Sequence, residues 1–534
     1  MKMTFLGAAH EVTGSCTYLE VGDKKGIVDY GLEQGADLFV NEELPVLPKQ
    51  LDFVLLTHAH IDHSGRLPLL YKQGYRGPVY ATAATCSLCD IMLRDCANIQ
   101  MSEAEWKNRK AERSGAARVE PLYDMDDALG LLGCMRPCAY GERIQVNEAV
   151  TIRFTDVGHL LGSAAIEVWL REGGQERKVT FSGDIGNTDQ PILCNPHAVA
   201  ETDYLVMEST YGNRLHSEEK VDYVPELAKR IQRTLDRGGN VLIPSFAVGR
   251  TQEMLYFIRE IKERGLVTGH GNFPVYVDSP LAVEATSVFL QCDSGYLDEK
   301  TRAMIRAGVN PLVFPGLELT LSQEESRAIN EDKTPKVILS ASGMCDAGRI
   351  RHHLKHNLWR PACMVLFVGY QAQGTLGRAL VEGVKSVKLF DETIQVEAEI
   401  DTLPGVSGHA DKNGLLSWLR GFEKKPGLVF VNHGDPEAAD SFTACLNDEL
   451  GYRAYAPYSG TVFDLKKGEF LHRAKARPVE KGRGGKRRVS EAFTRLITAA
   501  ERLLRAARGL EGHSNRELAS FADAINRLVD KMEK

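Results

Sequence analysis

Three histidines and one aspartate lie within six residues of this 534-residue chain, directly after an apolar strand pattern. Residues 57–63 read THAHIDH. Imidazole nitrogen and carboxylate oxygen are ligands that zinc prefers in proteins. Loop residues alternate in direction, so His58 and His60 can face one metal ion while Asp62 and His63 face a second. The run therefore predicts a metal centre at the end of a buried strand.

Four residues cannot complete two zinc sites, and further candidate ligands follow other strand patterns. Each is a histidine or aspartate close to a glycine, directly after an apolar run. They are His159 in DVGH, Asp184 in SGDIG and His433 in NHGD. A lone histidine at such a place is more often structural. Here each of the three residues fills a vacant position in the predicted metal centre.

The composition is that of a soluble globular protein, with 43% apolar and 26% charged residues. The sequence contains no run near the ~18 consecutive apolar residues that a membrane span needs. The N-terminal segment lacks the apolar core of a secretory signal. Eleven cysteines in such a chain are typical of reduced thiols rather than of a disulfide framework. We therefore expect a cytoplasmic protein that makes no membrane contact.

The charge of the chain is unevenly distributed. The formal net charge of −7 argues against a general nucleic-acid binder. However, residues 471–534 hold 16 Lys and Arg against 8 Asp and Glu, which gives this tail a net charge of +8. The first 470 residues therefore carry a net charge of −15. An acidic body is thus followed by a basic tail.

Strand and helix patterns divide the chain into four parts. Residues 1–212 alternate short strands with glycine-rich turns, which indicates an α/β sandwich. Residues 213–385 alternate strands with longer helices, which predicts right-handed βαβ units around a parallel sheet. Residues 386–470 return to strands and can complete the first domain. Residues 471–534 form a basic arm and two amphipathic helices, the second opening with the capping-box sequence SNRE.

The candidate ligands resemble, in kind and order, the motifs of the metallo-β-lactamase superfamily. Asp29 in VDYG is similar to the first motif, THAHIDH to the second, and the next two are matched by His159 and Asp184. The resemblance implies an αββα sandwich that binds two zinc ions. It also implies a set of roles: His58, His60 and His159 on one zinc, Asp62, His63 and His433 on the other, Asp184 bridging both, and Asp29 orienting the metal loop.

The inserted part, residues 213–385, resembles the β-CASP domain of the superfamily members that process nucleic acids. Glu208 in VMESTYG is similar to motif A, His409 in VSGHAD to motif B, and His433 to motif C. A histidine held by a carboxylate can protonate a leaving alkoxide. We therefore expect His409 to be the general acid and Glu208 to orient it. A histidine at motif C is typical of the RNA-processing members and favours RNA as the substrate.

Three further loops place small residues before a helix, where backbone N–H groups can approach a phosphate. They also match motif regions of the family, and arginines near them could add bidentate phosphate contacts. The candidate substrate-binding residues in these loops are Ser245, Arg250, Ser342, Arg349 and Arg378. The alternative interpretation of each loop is an ordinary strand–helix turn.

The whole pattern is similar to the bacterial and archaeal relatives of the mRNA 3′-end processing endonuclease, the cleavage and polyadenylation specificity family. We therefore predict a ribonuclease with two zinc ions that cleaves single-stranded RNA endonucleolytically, with a metal-bound hydroxide as nucleophile. The alternatives are a 5′-exoribonuclease, a hydrolase of lactams or thioesters, and a non-catalytic RNA-binding scaffold. Whether the basic tail binds RNA, docks on the body or forms a homodimer stays open.

Overall fold

The computed structural model describes residues 1–35, 38–114, 118–216, 221–372, 374–403, 405, 407–479, 503, 507 and 514–532. The chain divides into two compact units, residues 1–478 and residues 479–534. Among the described residues, no helix combines the length and the apolar character that crossing a membrane requires.

Two mixed sheets form the centre of the first unit. The eight-stranded sheet has the order β23-β22-β1-β2-β3-β4-β5-β6. Its strands are β1 (Lys2–Gly7), β2 (Cys16–Val21), β3 (Lys24–Val28), β4 (Phe53–Leu55), β5 (Val79–Thr82), β6 (Met135–Cys138), β22 (Val462–Asp464) and β23 (Glu469–His472). The first and last segments of this unit therefore pair side by side.

The second sheet has seven strands in the order β21-β20-β11-β10-β9-β8-β7. Its strands are β7 (Ile144–Gln145), β8 (Val150–Asp156), β9 (Ala164–Glu172), β10 (Gln175–Phe181), β11 (Tyr204–Glu208), β20 (Leu428–Asn432) and β21 (Ala454–Tyr455). Strands β10, β11 and β20 run parallel, so their carboxyl ends meet at one edge.

The two sheets pack face to face with helices outside them. Phe5, Phe154 and Phe430 lie fully buried between the sheets, because alternate residues of each strand point inward. The helices that precede the inserted part are α1 (Ile61–Ser64), α2 (Leu67–Lys72), α3 (Ala83–Ser114) and α4 (Met125–Leu132). On the other side, α12 (Lys412–Arg420) and α13 (Pro436–Ala444) pack on the seven-stranded sheet. The arrangement is an αββα sandwich.

A third sheet, of six parallel strands, is inserted between β11 and β20. Its order is β14-β13-β15-β12-β16-β19. The strands are β12 (Val241–Pro244), β13 (Val275–Asp278), β14 (Leu317–Thr320), β15 (Val337–Ser340), β16 (Met364–Phe367) and β19 (Glu399–Thr402). A separate hairpin joins β17 (Ser386–Leu389) to β18 (Glu392–Gln395).

Seven helices accompany the inserted sheet in the described part of the chain. They are α5 (Tyr223–Asp236), α6 (Arg250–Glu263), α7 (Pro280–Gln291), α8 (Glu299–Arg306), α9 (Gln323–Glu331), α10 (Ile350–Asn357) and α11 (Leu376–Val381). Alternation of buried strands with helices produces this parallel sheet. The predicted fold class, a sandwich with an inserted parallel sheet, is confirmed.

The domain boundaries stay predictions, but the sheets depart from them at two points. Strand β19 pairs with β16, so the inserted sheet continues beyond the predicted boundary at residue 385. The first unit continues beyond residue 470, because Arg477 O accepts a hydrogen bond from Val40 N (2.8 Å) and its guanidinium pairs with Glu42 (2.6 Å). Both departures arise from backbone pairing between segments that are far apart in sequence.

In the second unit, α14 (Asn515–Met532) is the helix that the capping-box sequence predicts. Glu517 N donates to Ser514 Oγ (3.4 Å), and Ser514 N donates to a Glu517 carboxylate oxygen (3.3 Å). The reciprocal bonds satisfy backbone donors at the helix start. The first predicted tail helix, residues 493–507, lies outside the described residues except at positions 503 and 507.

Gly31 allows the segment after β3 to pass directly against the loop that bears the candidate metal ligands. Tyr30 N donates to His63 O (2.8 Å), and Leu32 N donates to Ile61 O (2.9 Å). A Cβ atom at Gly31 would lie 1.6 Å from Asp62 O, where no side-chain atom fits. Only glycine preserves this backbone contact.

We expect Gly31→Ala to separate these two segments, because the methyl group overlaps a backbone carbonyl that cannot move alone. The free energy of unfolding should fall by about 2–4 kcal/mol, and zinc content should fall with it. Denaturant unfolding and metal analysis measure both. Gly133→Ala is the control, since its Cβ would lie 3.4 Å from the nearest atom. Equal stability of the two variants would contradict this account.

Candidate metal centre and active site

The ends of five strands bring the candidate residues together. Strand β4 precedes the loop with residues 57–63, β8 precedes His159, and β10 precedes Asp184. Strand β11 ends at Glu208, and His433 directly follows β20. These strand ends lie at one edge of the sandwich, so residues separated by up to several hundred positions in sequence share one site.

Four side chains form the first candidate metal group. His60 Nδ1 lies 3.1 Å from His58 Nε2 and 3.2 Å from His159 Nε2. Asp184 Oδ2 lies 3.5 Å from His58 Nε2 and 3.6 Å from His159 Nε2. A tetrahedral zinc with Zn–N distances of ~2.0–2.1 Å separates its ligand atoms by about 3.3 Å. The spacing of these four atoms therefore suits one zinc ion.

The second group shares Asp184 with the first. His63 Nε2 lies 2.9 Å from His433 Nε2 and 3.3 Å from Asp184 Oδ1. Asp62 Oδ2 lies 3.6 Å from His433 Nε2. The two carboxylate oxygens of Asp184 thus face different groups, Oδ2 the first and Oδ1 the second. This is the arrangement that a bridging carboxylate between two cations requires.

The burial of Asp184 and the protonation of the three histidines in the first group also fit a metal ion. Asp184 Oδ1 is buried and accepts no hydrogen bond from the described residues, so a cation would satisfy it. Burial lowers the pKa of His58, of His60 and of His159, which keeps each imidazole neutral with a lone pair to offer. The donor set of imidazoles and carboxylates is the one that zinc favours.

Asp29 lies beneath the second group, where the first-motif resemblance expects it. His63 Nδ1 donates to Asp29 Oδ2 (2.7 Å), which leaves His63 Nε2 directed at the group. Thr57 donates to Asp29 Oδ1 through its backbone N–H (2.9 Å) and its hydroxyl (3.0 Å). Asp29 thus contacts Thr57 and His63, the two ends of the loop of residues 57–63. Its backbone has a positive φ of 59°. The sequence did not single out Thr57, which stands directly before the first histidine.

His409 and Glu208 form a pair beside the metal groups. Glu208 Oε1 lies 3.3 Å from His409 Nδ1 and accepts a hydrogen bond from Ile185 N (2.6 Å). Burial lowers the pKa of His409, but the carboxylates of Glu208, Asp184 and Asp62 together outweigh burial and raise it to about 9. His409 Nε2 lies 3.9 Å from Asp184 Oδ2. The imidazole can therefore present a proton toward the space above Asp184.

Known families match three separate regions of the chain. Residues 11–90 match the metallo-beta-lactamase superfamily, residues 251–380 match the Beta-Casp domain, and residues 393–457 match a Zn-dependent metallo-hydrolase RNA specificity domain. The last region contains His409 and His433.

The chain is 38% identical over 440 residues to a protein of Thermus thermophilus named Ribonuclease TTHA0252, covering 82% of this chain and 94% of that protein. The chain belongs to the metallo-β-lactamase/β-CASP family of RNA nucleases. Archaeal proteins named Transcription termination factor FttA are also similar. That of Methanothermobacter thermautotrophicus is 32% identical, covering 87% of this chain and 71% of that protein. That of Methanosarcina mazei is 31% identical, covering 84% and 69%.

A solved structure of an Enterococcus faecalis protein of unknown function aligns over 86% of this chain and 99% of that chain, at 13% identity. Its TM-score is 0.46.

The loop that carries His409 also supports a candidate metal ligand, which the sequence did not reveal. Gly408 O lies 3.1 Å from His159 Nδ1, and it accepts a hydrogen bond from Gln190 Nε2 (3.1 Å). On the other side, His216 Nε2 lies 2.8 Å from His409 O. Gln190 and His216 stand in no recognisable motif, so only the folded β-CASP protein identifies them.

The five candidate substrate-binding residues are already engaged within the protein. Ser245 is buried and its hydroxyl lies 2.8 Å from that of Thr251, while Ser342 Oγ donates to Ala347 O (3.4 Å). Each of the three arginines has a carboxylate partner. The ion pairs are Arg250–Glu253, Arg349–Asp278 and Arg378–Glu382. Their role in substrate binding stays a prediction, and phosphate would have to compete with these carboxylates.

A cleft of about 1160 Å³ lies next to the loop of His409, with Ser407 and Asp411 in its wall. Among the described residues, the wall carries seven carboxylates and one lysine: Asp189, Asp222, Glu253, Glu260, Asp298, Glu299, Asp411 and Lys300. A polyanion approaching through this cleft meets repulsion rather than attraction. Attraction for a phosphate backbone therefore has to come from cations at the metal groups and from other surfaces.

We expect Asp29→Ala to weaken zinc binding by about 10- to 100-fold, because His63 loses the acceptor that orients its imidazole. Competition with a chromophoric chelator measures the affinity, and metal analysis of the unsubstituted protein should yield two zinc ions per chain. Asp23→Ala is the matched control, since that carboxylate is exposed and pairs only at the surface with Lys24. Zinc affinity that is unchanged in Asp29→Ala would refute the orienting role.

Proposed function

We propose that this chain is a two-zinc endoribonuclease that hydrolyses phosphodiester bonds in single-stranded RNA. The observation that carries the proposal is the position of Asp184. One of its oxygens faces each candidate metal group, and the His409–Glu208 pair stands beside them. Two cations and a proton donor are what an in-line displacement at phosphorus requires.

RNA as the substrate is supported by the relatives and by the matched regions. The Thermus relative is named a ribonuclease, and the domain that matches residues 393–457 is described by its RNA specificity. That region supplies both His409 and His433. A hydrolase of lactams or thioesters has no evident use for a proton donor from a separate loop or for an inserted six-stranded sheet.

In this proposal, His58, His60, His159 and Asp184 would hold one zinc, and Asp62, His63, His433 and Asp184 the other. The zinc ions, when bound, lower the pKa of a water molecule and neutralise charge on the scissile phosphate. His409 would donate its Nε2 proton to the departing oxygen. Glu208 would keep Nδ1 protonated and the ring in place, as its 3.3 Å separation from Nδ1 allows.

Endonucleolytic action is favoured over 5′-exonucleolytic action by the state of the arginines. A 5′-exonuclease has to hold the terminal phosphate, and free guanidinium groups would be its strongest donors. Arg349 is bound to Asp278 (2.7 Å) and to Leu321 O (2.6 Å), and Arg378 is bound to Glu382 (2.6 Å). Cleavage within a chain needs no such terminal pocket.

Residence in the cytoplasm belongs to the same proposal. All eleven cysteines are free thiols, as expected in a reducing compartment. Burial also raises the pKa of Cys16 and of Cys86 to about 12, so these thiols are not reactive.

A homodimer is supported by the apolar stripe of α14, where Leu518, Phe521 and Ile525 follow helical spacing.

We expect His409→Ala to abolish RNA cleavage while two zinc ions per chain remain bound, because His409 would donate a proton without holding metal. Asp184→Ala should abolish cleavage and also reduce zinc content, since both groups lose a ligand. End-labelled RNA and metal analysis measure the two effects. His472→Ala, an exposed histidine at the end of β23, is the control. Cleavage that persists in either active-site variant would overturn the proposed function.

We expect the protein to cut a covalently circular, unstructured RNA about as fast as its linear form, because the proposed reaction uses no chain end. Gel separation of circular and linear species measures the first cut. A circular RNA of the same length whose bases pair to form a duplex should be cut more slowly. If only the linear RNA with a 5′-phosphate is degraded, the 5′-exonuclease alternative is correct.

A further inference from the structure

Phe246 is exposed in a loop whose neighbouring residues are buried. The loop follows β12, and Ser245, Ala247 and Val248 have almost no exposed surface, whereas the Phe246 residue is 48% exposed. The backbone of the loop is held in place, because Phe246 O accepts hydrogen bonds from Thr251 N (3.2 Å) and Thr251 Oγ1 (2.7 Å). The ring is thus presented to solvent from a fixed backbone.

Tyr370 has the same character in the loop that follows β16. Tyr370 is 52% exposed, while the next residue, Gln371, is 6% exposed. The Gln371 amide donates to Gly343 O (3.1 Å) and to Gly369 O (3.2 Å), which fixes the loop on both sides of the ring. Strands β12 and β16 are hydrogen-bonded neighbours, so the two loops leave the sheet at the same edge.

Gly343 connects the two loops. A Cβ atom at Gly343 would lie 3.3 Å from Cδ2 of the Phe246 ring, and the Gly343 carbonyl accepts the hydrogen bond from Gln371. The loops that carry Phe246 and Tyr370 are therefore linked through one glycine. Neighbouring strands are ~4.8 Å apart, so the two loops emerge next to each other at this edge of the sheet.

The Phe246 loop is also packed against the candidate metal centre. Ala247 and Val248 share a core cluster with Leu160 and Leu161. A Cβ atom at Gly249 would lie 3.1 Å from Leu160 Cδ1, and Leu160 directly follows the ligand His159. A strand of RNA bound at the metals can therefore continue onto the edge of the inserted sheet without leaving the protein surface.

We propose that Phe246 and Tyr370 form a base-stacking site that binds unpaired nucleobases of the RNA next to the scissile bond. The inference rests on the proposed function, because it takes RNA as the substrate. Exposed aromatic rings stack on any base, since every base has a π-face, and they ignore bases that are already stacked in a duplex. The site would thus select single strands without reading their sequence.

The surroundings of the rings favour nucleotides over a protein partner. A protein-docking surface is usually a contiguous apolar patch of several hundred Å². Here each ring stands in a separate short loop, and an arginine follows each ring in sequence. Arg250 begins the helix after the Phe246 loop, and Arg378 lies in the helix after the Tyr370 loop, each paired with a carboxylate. Rings interleaved with cations and small residues are typical of single-strand binding surfaces.

The test measures binding of a fluorescent 12-nucleotide adenosine-rich RNA to the full zinc-loaded chain, with His409→Ala in every protein to prevent cleavage. We expect Phe246→Ala and Tyr370→Ala each to weaken affinity by roughly 5- to 50-fold. Phe246→Tyr and Tyr370→Phe keep the rings and should retain affinity. Trp359→Ala is the matched control, since Trp359 is 56% exposed but precedes β16 at the opposite edge of the sheet.

A second RNA of the same length, with abasic sites in place of the bases, separates stacking from charge. We expect all the variants to bind it equally weakly. Unchanged affinity of both alanine variants for the adenosine-rich RNA would overturn the inference, and so would equal losses for the abasic RNA. A changed oligomeric state with unchanged RNA affinity would assign the rings to a protein contact instead.

Cutting of the abasic RNA distinguishes this inference from the proposed function. The abasic RNA has no base to stack, so proteins with an intact His409 should cut it at equal rates whether or not they carry Phe246→Ala and Tyr370→Ala. If this activity is present but the alanine variants bind the adenosine-rich RNA normally, only the stacking site fails. If the unsubstituted protein cuts neither RNA, the proposed function itself fails.

Discussion

The carboxylate of Asp184 is the interaction on which the arrangement of the site depends. Its two oxygens reach imidazoles from loops attached to both sheets. His58 and His63 follow β4 of the eight-stranded sheet, whereas His159 and His433 follow β8 and β20 of the seven-stranded sheet. A buried carboxylate is costly unless it is paired. The imidazoles of His433 and His63 oppose the effect of burial and keep the pKa of Asp184 well below its ordinary value. The Asp184 carboxylate therefore holds loops from the two sheets next to each other.

The neighbouring loop, residues 407–411, connects the proposed proton donor with a candidate metal ligand. The Gly408 carbonyl faces the ring of His159, and the next residue, His409, faces Glu208. A displacement of this short loop would therefore disturb both residues together. The family's separate motifs thus form one physical unit, and this explains why variants in the loop need metal analysis beside activity measurements.

The net charge of the chain does not determine how strongly the candidate site attracts RNA. The acidic body and the acidic cleft oppose RNA, and the three loop arginines are paired with carboxylates. Four positive charges from two zinc ions would reverse the field at the scissile bond, but only within a few ångströms of it. A surface that binds bases by stacking needs no net positive charge, which makes aromatic contacts well suited to this protein.

The sequence by itself determined the ligand types, the strand-end positions and the inserted parallel sheet. These depend on local patterns: a histidine or aspartate after an apolar run, or helices alternating with strands. The HxHxDH run and Asp184 could be found in this way, whereas the Glu208–His409 pairing followed from the resemblance to motifs A and B. The geometry brings all of them together.

Only the tertiary structure decided which atoms meet. It divided the oxygens of Asp184 between two groups, placed Gly408 against His159 across 249 positions of sequence, and paired Arg349 with the buried Asp278. It also extended the first unit to residue 478 and the inserted sheet to Thr402. Such contacts join residues far apart in the chain, and local patterns carry no information about them.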